Sequence, residues 1–258
     1  MTLARVDDKG DRLVVVNMNA ARRGALSPDL YAAFGEAMRG AADPRVRAVL
    51  VTSQGGFFCA GGDLNTLIER AKLSEPERRT KIEGLHGVIR GIRNCPVPVI
   101  AAIEGGAAGA GLSIALACDL IVAADDAKFT AAYVKAGLVP DGGLTASLAR
   151  NLPRALAMEM CLLARPVMAQ RMADMGAITA AVPAGTAEAA AHVLADELAR
   201  GPRETQGVIR HMVAKAYDTT EAEQLSIERD AMAHAQGRPD AAEGIKAFLE
   251  KRKPDFNT

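Results

Sequence analysis

The sequence predicts an α/β layered domain with a mainly parallel sheet, followed by a helical C-terminal part. Three observations carry this. Short apolar runs alternate with helical patterns through most of the chain. Two glycine-rich turns, Phe57-Phe58-Cys59-Ala60-Gly61-Gly62-Asp63-Leu64 and Glu104-Gly105-Gly106-Ala107-Ala108-Gly109-Ala110-Gly111-Leu112, each stand between such a run and a helix-like segment. After about Ala184 the strand signals stop.

The elements read as follows. Arg12 to Met18 contains Leu-Val-Val-Val, a short strand. Ser27-Pro28-Asp29 has a helix N-cap followed by proline at the first helical position, so a helix runs to about Gly40. Val46 to Thr52 is the next strand. Leu64 to Arg93 is charged and helical in pattern, with a break at Ser74-Glu75-Pro76. Leu85, Val88, Ile89 and Ile92 fall on one helical face. Pro96 and Pro98 end that helix and launch strand Val97 to Ile103. Ala110 to Cys118 is a short apolar helix, and Asp119 to Ala124 another strand. Helices are then expected at Thr186 to Arg200, Glu204 to Tyr217, Glu221 to Ala235 and Asp240 to Lys251. Residues 1–184 form the expected core and 185–258 the helical remainder. No internal repeat is visible.

Composition excludes several classes. The chain of 258 residues carries 31 Lys plus Arg and 31 Asp plus Glu, so no basic face argues for nucleic acid. Trp is absent and aromatics are 3%, which argues against base-stacking platforms. Cys59, Cys95, Cys118 and Cys161 lack metal or disulfide spacing and read as reduced thiols in a cytoplasmic protein. His86, His192, His211 and His234 are scattered without metal-ligand spacing, so no metal is expected. The first residues include Asp7 and Asp8 where a signal peptide would be apolar. No apolar run approaches the ~20 residues of a membrane span.

A strand, a small-residue turn and a helix start leave backbone N–H groups unpaired and pointing one way. Two such turns converging on one oxygen would make an oxyanion hole. The alternative is two ordinary strand-to-helix turns.

At this point the chain resembles the crotonase, or enoyl-CoA hydratase/isomerase, superfamily from end to end. The resemblance is carried by Gly24-Ala25-Leu26-Ser27, Phe58 to Leu64, Pro96-Val97-Pro98-Val99-Ile100-Ala101-Ala102 and Gly105 to Gly111. It continues through Cys118-Asp119-Leu120, Ala127-Lys128-Phe129, Gly137-Leu138-Val139-Pro140-Asp141-Gly142-Gly143 and Phe248-Leu249-Glu250-Lys251-Arg252. It implies a spiral of ββα units, a fold shared with a protease family, and a helical trimerisation region, giving a homotrimer or a dimer of trimers. It also implies an acyl-CoA thioester substrate with no separate cofactor, coenzyme A being part of the substrate.

By position the resemblance puts the hole's two N–H groups on Gly62 and Ala110. It places the adenine against backbone at Ala60, Gly61, Asp63, Leu64 and Asn65, with Gly109 and Ser113 lining the substrate. Lys251 matches a lysine that reaches a neighbouring subunit's coenzyme A in some members. The two glutamates of a hydratase are matched by Ser113 and Tyr133, neither a ready base near neutral pH. Asp141 matches the acidic base of several family isomerases, most similarly those of phenylacetate breakdown. Without the resemblance, Asp141 could equally be a turn residue or helix N-cap. His86, Tyr133 and Asp141 also match the histidine, aromatic donor and nucleophilic aspartate of a family dehalogenase. An acyl-CoA hydrolase, a serine hydrolase at Ser113 and a non-catalytic acyl-CoA binder stay open beside isomerase and hydratase.

Overall fold

A computed structural model describes residues 2–256. In chain order the first elements are β1 (Ala4–Asp8), β2 (Arg12–Asn17), α1 (Pro28–Gly40), β3 (Ala48–Ser53), α2 (Leu64–Ala71) and α3 (Glu75–Arg93). Then come β4 (Val99–Ile103), β5 (Gly106–Ala108), α4 (Ala110–Ala115), β6 (Leu120–Ala124) and β7 (Lys128–Thr130). There follow α5 (Leu144–Asn151), α6 (Arg154–Leu163), β8 (Val167–Met168), α7 (Ala169–Asp174) and β9 (Ala180–Val182). The chain ends in α8 (Ala187–Ala199), α9 (Arg203–Lys215), α10 (Glu221–Gln236) and α11 (Pro239–Leu249).

One sheet has the order β1-β2-β3-β4-β6-β9, and a smaller one the order β5-β7-β8. β1 pairs antiparallel with β2, and every later pairing in the large sheet is parallel. The register sets Val14 beside Leu50 and Leu50 beside Ile100. Side chains alternate between two cores. Leu13, Val15, Val49, Val51, Val99, Ala101 and Ile103 face one core, which α1 and α3 help to cover. Val14, Val16, Leu50, Ile100 and Ala102 face the other, where Ala191 and Ala195 of α8 lie against them. Both faces are covered, so the strands read as unbroken apolar runs rather than alternating ones.

The chain visits the two sheets in turn. β4 is followed by β5 and then α4, and β6 by β7 and then α5. β3 is followed by Cys59, which makes a lone parallel bridge to Ala107 of β5, and then by α2. Three ββα units therefore repeat, as the family resemblance implies. The residue pattern hides them because their second strands are one to three residues long. The same brevity hides β8 and β9, while β1 is an edge strand whose charged side chains break the apolar signal.

The expected helix signals hold. Ser27 caps α1 by accepting the Leu30 N–H at 3.2 Å, with Pro28 at the first helical position. Ser74 and Glu77 form a capping box that starts α3. The short helix after the second turn stops at Ala115 rather than Cys118, because the chain turns there toward β6.

Arg210 of α9 clips the helical part to the core. Its guanidinium is buried, pairs with Asp119 at 2.8 Å and donates to the carbonyls of Ile92, Arg93 and Cys95. Asp119 in turn accepts the Val99 N–H at 2.7 Å. Gly207, one turn earlier, lets α9 approach Pro96: a Cβ there would stand 2.4 Å from the Pro96 oxygen. Arg210→Ala removes one partner of a buried pair and the side-chain donor of the Arg93 and Cys95 carbonyls, so we expect a loss of about 3 kcal/mol. Denaturant titration checks this; an unchanged midpoint would mean that water replaces the guanidinium.

Candidate active site

The two glycine-rich turns meet face to face. Cys59 O accepts the Ala108 N–H at 2.9 Å, and Gly109 N–H donates to Thr130 O at 3.0 Å. A Cβ on Gly111 would lie 2.3 Å from Cys59 O, and one on Gly61 would lie 2.8 Å from Ala108 O and 3.1 Å from Ala110 N. Gly61 also sits at φ 92° and Gly109 at φ 52°, in the left-handed region. Glycine is thus required where the backbones touch. The first turn is held from behind by the Gly24 to Ser27 stretch. Ala60 N–H donates to Arg23 O, and Gly61 O accepts the Leu26 N–H, both at 2.9 Å. Asn17 ties the same stretch down by donating to Gly24 O at 2.7 Å.

Ala110 is the first residue of α4, and Gly62 directly precedes Asp63, the N-cap of α2. Among the described residues, neither the Gly62 nor the Ala110 N–H donates to a protein acceptor. Both are available to an oxygen placed between the turns. Cys59 is buried beside them, and that burial pushes its thiol up to about 12, so it is no thiolate nucleophile.

The third piece is the loop after β7. Tyr133 donates its hydroxyl to Asp141 Oδ1 at 2.7 Å. Ser113 Oγ of α4 lies 3.0 Å from Asp141 O and 3.2 Å from the Tyr133 hydroxyl. Gly142 makes this approach possible: a Cβ there would stand 2.9 Å from Ser113 Cβ and 3.1 Å from Leu85 Cδ2. The helix-cap alternative for Asp141 does not hold. Gly143 is the N-cap of α5, no side chain caps that helix, and the Asp141 carboxylate is given to Tyr133. Burial pushes the Tyr133 phenol well above its ordinary range, and the charge of Asp141 adds to the rise. Tyr133 is therefore a fixed donor and not a base.

The remaining candidates are placed differently. Asp63 caps α2 through the Thr66 N–H at 3.0 Å and pairs with Arg22. Leu64 and Asn65 are exposed on the first turn of α2. His86 lies on α3, where its Nδ1 is 3.3 Å from Glu83, and no hydrogen bond joins it to Tyr133 or Asp141. Lys251 is exposed just beyond α11 and has no hydrogen bond or ion pair to the site of its own chain. Among the described residues no group of three or more His, Cys, Asp or Glu is arranged to hold a metal ion. Tyr31 of α1, which carries no sequence motif, packs toward α3 beside the site, its Cε2 3.9 Å from where a Cβ on Gly84 would stand. Its phenol is raised chiefly by burial and also feels Asp141 and Arg70.

These phenols make an alkaline prediction. Tyr31 and Tyr133 hold their protons more tightly in the folded chain than at the ordinary value of 10.0. Their stabilisation is fully present below about pH 10 and is lost as pH rises further, because the unfolded state releases those protons first. Ultraviolet titration should show Tyr133 ionising last, and Asp141→Asn should bring that step down. A Tyr133 step at ordinary pH would contradict the hydrogen bond to Asp141.

Comparisons with known proteins identify the family and agree with the fold. The family model for enoyl-CoA hydratase/isomerase matches residues 8–258. A probable enoyl-CoA hydratase of Rhodobacter capsulatus is 37% identical over 95% of this chain and 91% of its own. The 1,2-epoxyphenylacetyl-CoA isomerase of Escherichia coli is 35% identical over 96% of this chain and 95% of its own. The crystal structure of an enoyl-CoA hydratase from Polaromonas sp. JS666 superposes with a TM-score of 0.94 at 41% identity, covering 98% of both chains. With facing glycine turns, three ββα units and these matches along nearly its whole length, the chain belongs to the enoyl-CoA hydratase/isomerase family.

Proposed function

We propose that this member is an enoyl-CoA isomerase that moves a double bond by a one-base 1,3-proton shift. The observation that carries the reading is Asp141, whose carboxylate accepts the Tyr133 hydroxyl and whose backbone carbonyl accepts the Ser113 hydroxyl. Hydration calls for two bases, and the two positions matching them hold hydroxyls. Asp141 removes the C2 proton of a 3-enoyl-CoA and returns it at C4. The Gly62 and Ala110 N–H groups hold the thioester oxygen while it carries the dienolate charge. Tyr133 pins Oδ1 and leaves the other carboxylate oxygen to carry the proton. Ser113 fixes the Asp141 backbone. Coenzyme A enters as part of the substrate, and no other cofactor is invoked. His86, facing Glu83, has no step in this scheme.

The helical end supports a further reading. Val213, Leu225, Met232, Phe248 and Leu249 lie exposed on α9, α10 and α11. Apolar side chains concentrated this way mark a surface that another chain covers. We infer a homotrimer or a dimer of trimers, with 185–258 as its assembly region and the cytoplasm as its compartment. Light scattering at micromolar concentration should give a mass near three or six chains; a monomer would remove the assembly reading.

The chemistry is tested by variants. Asp141→Asn should lower kcat by ~10²–10⁴ while acyl-CoA binding is kept. Tyr133→Phe, losing one charged hydrogen bond, should cost about 10–100-fold. Ser113→Ala should cost less than about tenfold. Ala110→Pro deletes a hole donor at a helix position that tolerates proline, and should cost ~10²–10³. The assay converts 3-hexenoyl-CoA to 2-hexenoyl-CoA. Formation of 3-hydroxyhexanoyl-CoA instead, or full activity of Asp141→Asn, would sink the isomerase reading.

A further inference from the structure

Glu104 begins the second glycine turn, and its half-buried side chain reaches out of that turn to a different helix. Its two carboxylate oxygens accept the Gly185 N–H at 3.0 Å and the Ala187 N–H at 2.9 Å. Ala187 is the first residue of α8, so its N–H is one that a helix start leaves without a partner. Gly185 lies in the turn just before. The local cap residue does not serve these donors. Thr186 stands at the cap position, but its hydroxyl donates to Pro183 O at 2.6 Å, and its side chain makes no cap bond. The cap of α8 is therefore supplied from the glycine turn, by a carboxylate that the helix dipole also favours.

The same residue ties the two turns together. Glu104 O accepts the Phe58 N–H of the first turn at 3.0 Å and the Gly106 N–H at 2.6 Å. β4 ends at Ile103 and β5 begins at Gly106, so Glu104 is the joint where the chain leaves the large sheet for the small one. The joint is tight: a Cβ on Gly105 would stand 2.2 Å from Gly56 O, and one on Gly106 2.3 Å from Lys128 O. From there β5 leads to Ala108, bonded to Cys59 O, and on to Ala110 at the head of α4. The far end of the link is firm as well. Ala187, Ala191 and Ala195 of α8 are buried, the last two against the large sheet.

We propose that Glu104 is a positioning residue for the thioester oxygen: by capping α8 from within the turn, it fixes the joint on which the spacing of the Gly62 and Ala110 N–H groups depends. The proposal rests on reading those two N–H groups as the oxyanion hole. Backbone donors cannot be re-aimed by a change of rotamer, so their separation is set by whatever holds the main chain. The Glu104 carbonyl holds the turns to each other, and its carboxylate holds the pair to α8. Without the carboxylate, two N–H groups lose their acceptor and the joint keeps only its contacts within the turns. Hydrogen bonds to a developing oxyanion weaken as their donors leave the best distance and angle. The carboxylate is occupied by α8 and takes no part in proton transfer.

The thioester carbonyl itself is the readout. Infrared difference spectra of bound hexanoyl-CoA, labelled with carbon-13 at the carbonyl, report the hole's hydrogen bonds as a fall in stretching frequency. Wild type should show that fall. Glu104→Ala should shrink it and lower kcat for 3-hexenoyl-CoA by about 10–100-fold, while hexanoyl-CoA affinity, measured by calorimetry, changes less than kcat. Glu104→Gln keeps the size and one acceptor oxygen, so it should fall between the two. Ala191→Gly is the control: it weakens α8 without touching the joint, and should leave the carbonyl frequency and kcat near those of wild type. A Glu104→Ala frequency equal to that of wild type overturns the proposal. An equal loss in Ala191→Gly also overturns it, because Glu104 would then act only by stabilising α8. If Glu104→Ala does not fold, Glu104→Gln decides by the same two readouts. A wild type without the frequency shift would fail the oxyanion hole, and this inference with it. A shift that Glu104→Ala shrinks, with no double-bond shift in wild type, would fail the isomerase reading and leave the role of Glu104 standing.

Discussion

Everything at this site depends on one close approach, the contact of two backbones without side chains between them. Gly111 lies against Cys59 O, and Gly61 against Ala108 O and Ala110 N. A single methyl group at either glycine would overlap main-chain atoms that cannot move away, since Cys59 and Ala107 are bridged in the small sheet. The contact brings the ends of two ββα units together at their helix starts. Helix starts are where N–H groups lack partners, so the same contact that closes the fold also leaves the Gly62 and Ala110 N–H groups facing the space where we propose the oxyanion hole.

Asp141, the proposed base, is positioned by a different kind of interaction. Asp141 is bound through its carboxylate by Tyr133 and through its carbonyl by Ser113. Each side chain supplies one proton and so fixes one oxygen. Gly142 leaves space for the loop to press on Ser113 and Leu85. Helix α4 therefore carries both Ala110, whose N–H is free, and Ser113, which anchors the Asp141 carbonyl. In the proposed mechanism, placing both on one helix sets the distance between enolate and base without a flexible link.

The periphery serves the same geometry. The large sheet buries both faces, one under α1 and α3 and one under α8. Arg210 then ties α9 to the end of α3 and to Asp119, which leads into β6. The grip falls beyond the two glycine turns, and apolar side chains of α9 to α11 are left outward.

The sequence alone determined four strands of the large sheet (β2, β3, β4 and β6), the cap at Ser27, the break at Ser74 and the two glycine turns. These are set by local forces: apolar runs long enough to stand out, Ser27 before Pro28, Pro76 beside Ser74, and glycine where φ is positive. Positional likeness to the family also marked Gly62, Ala110, Tyr133 and Asp141. Only the tertiary structure decided how they are arranged. The small sheet's strands are too short to leave a pattern, so the meeting of the turns and the ββα repeat were invisible in the residues. Whether Asp141 caps a helix or faces Tyr133 is a matter of which way a loop folds, and the chain settles it through contacts with Ser113 and Leu85 that lie far away in sequence. His86 turns toward Glu83 on its own helix, away from Tyr133 and Asp141, a choice no motif marks. Tyr31 of α1, likewise unmarked, meets α3 at Gly84, and only packing brings separate helices together.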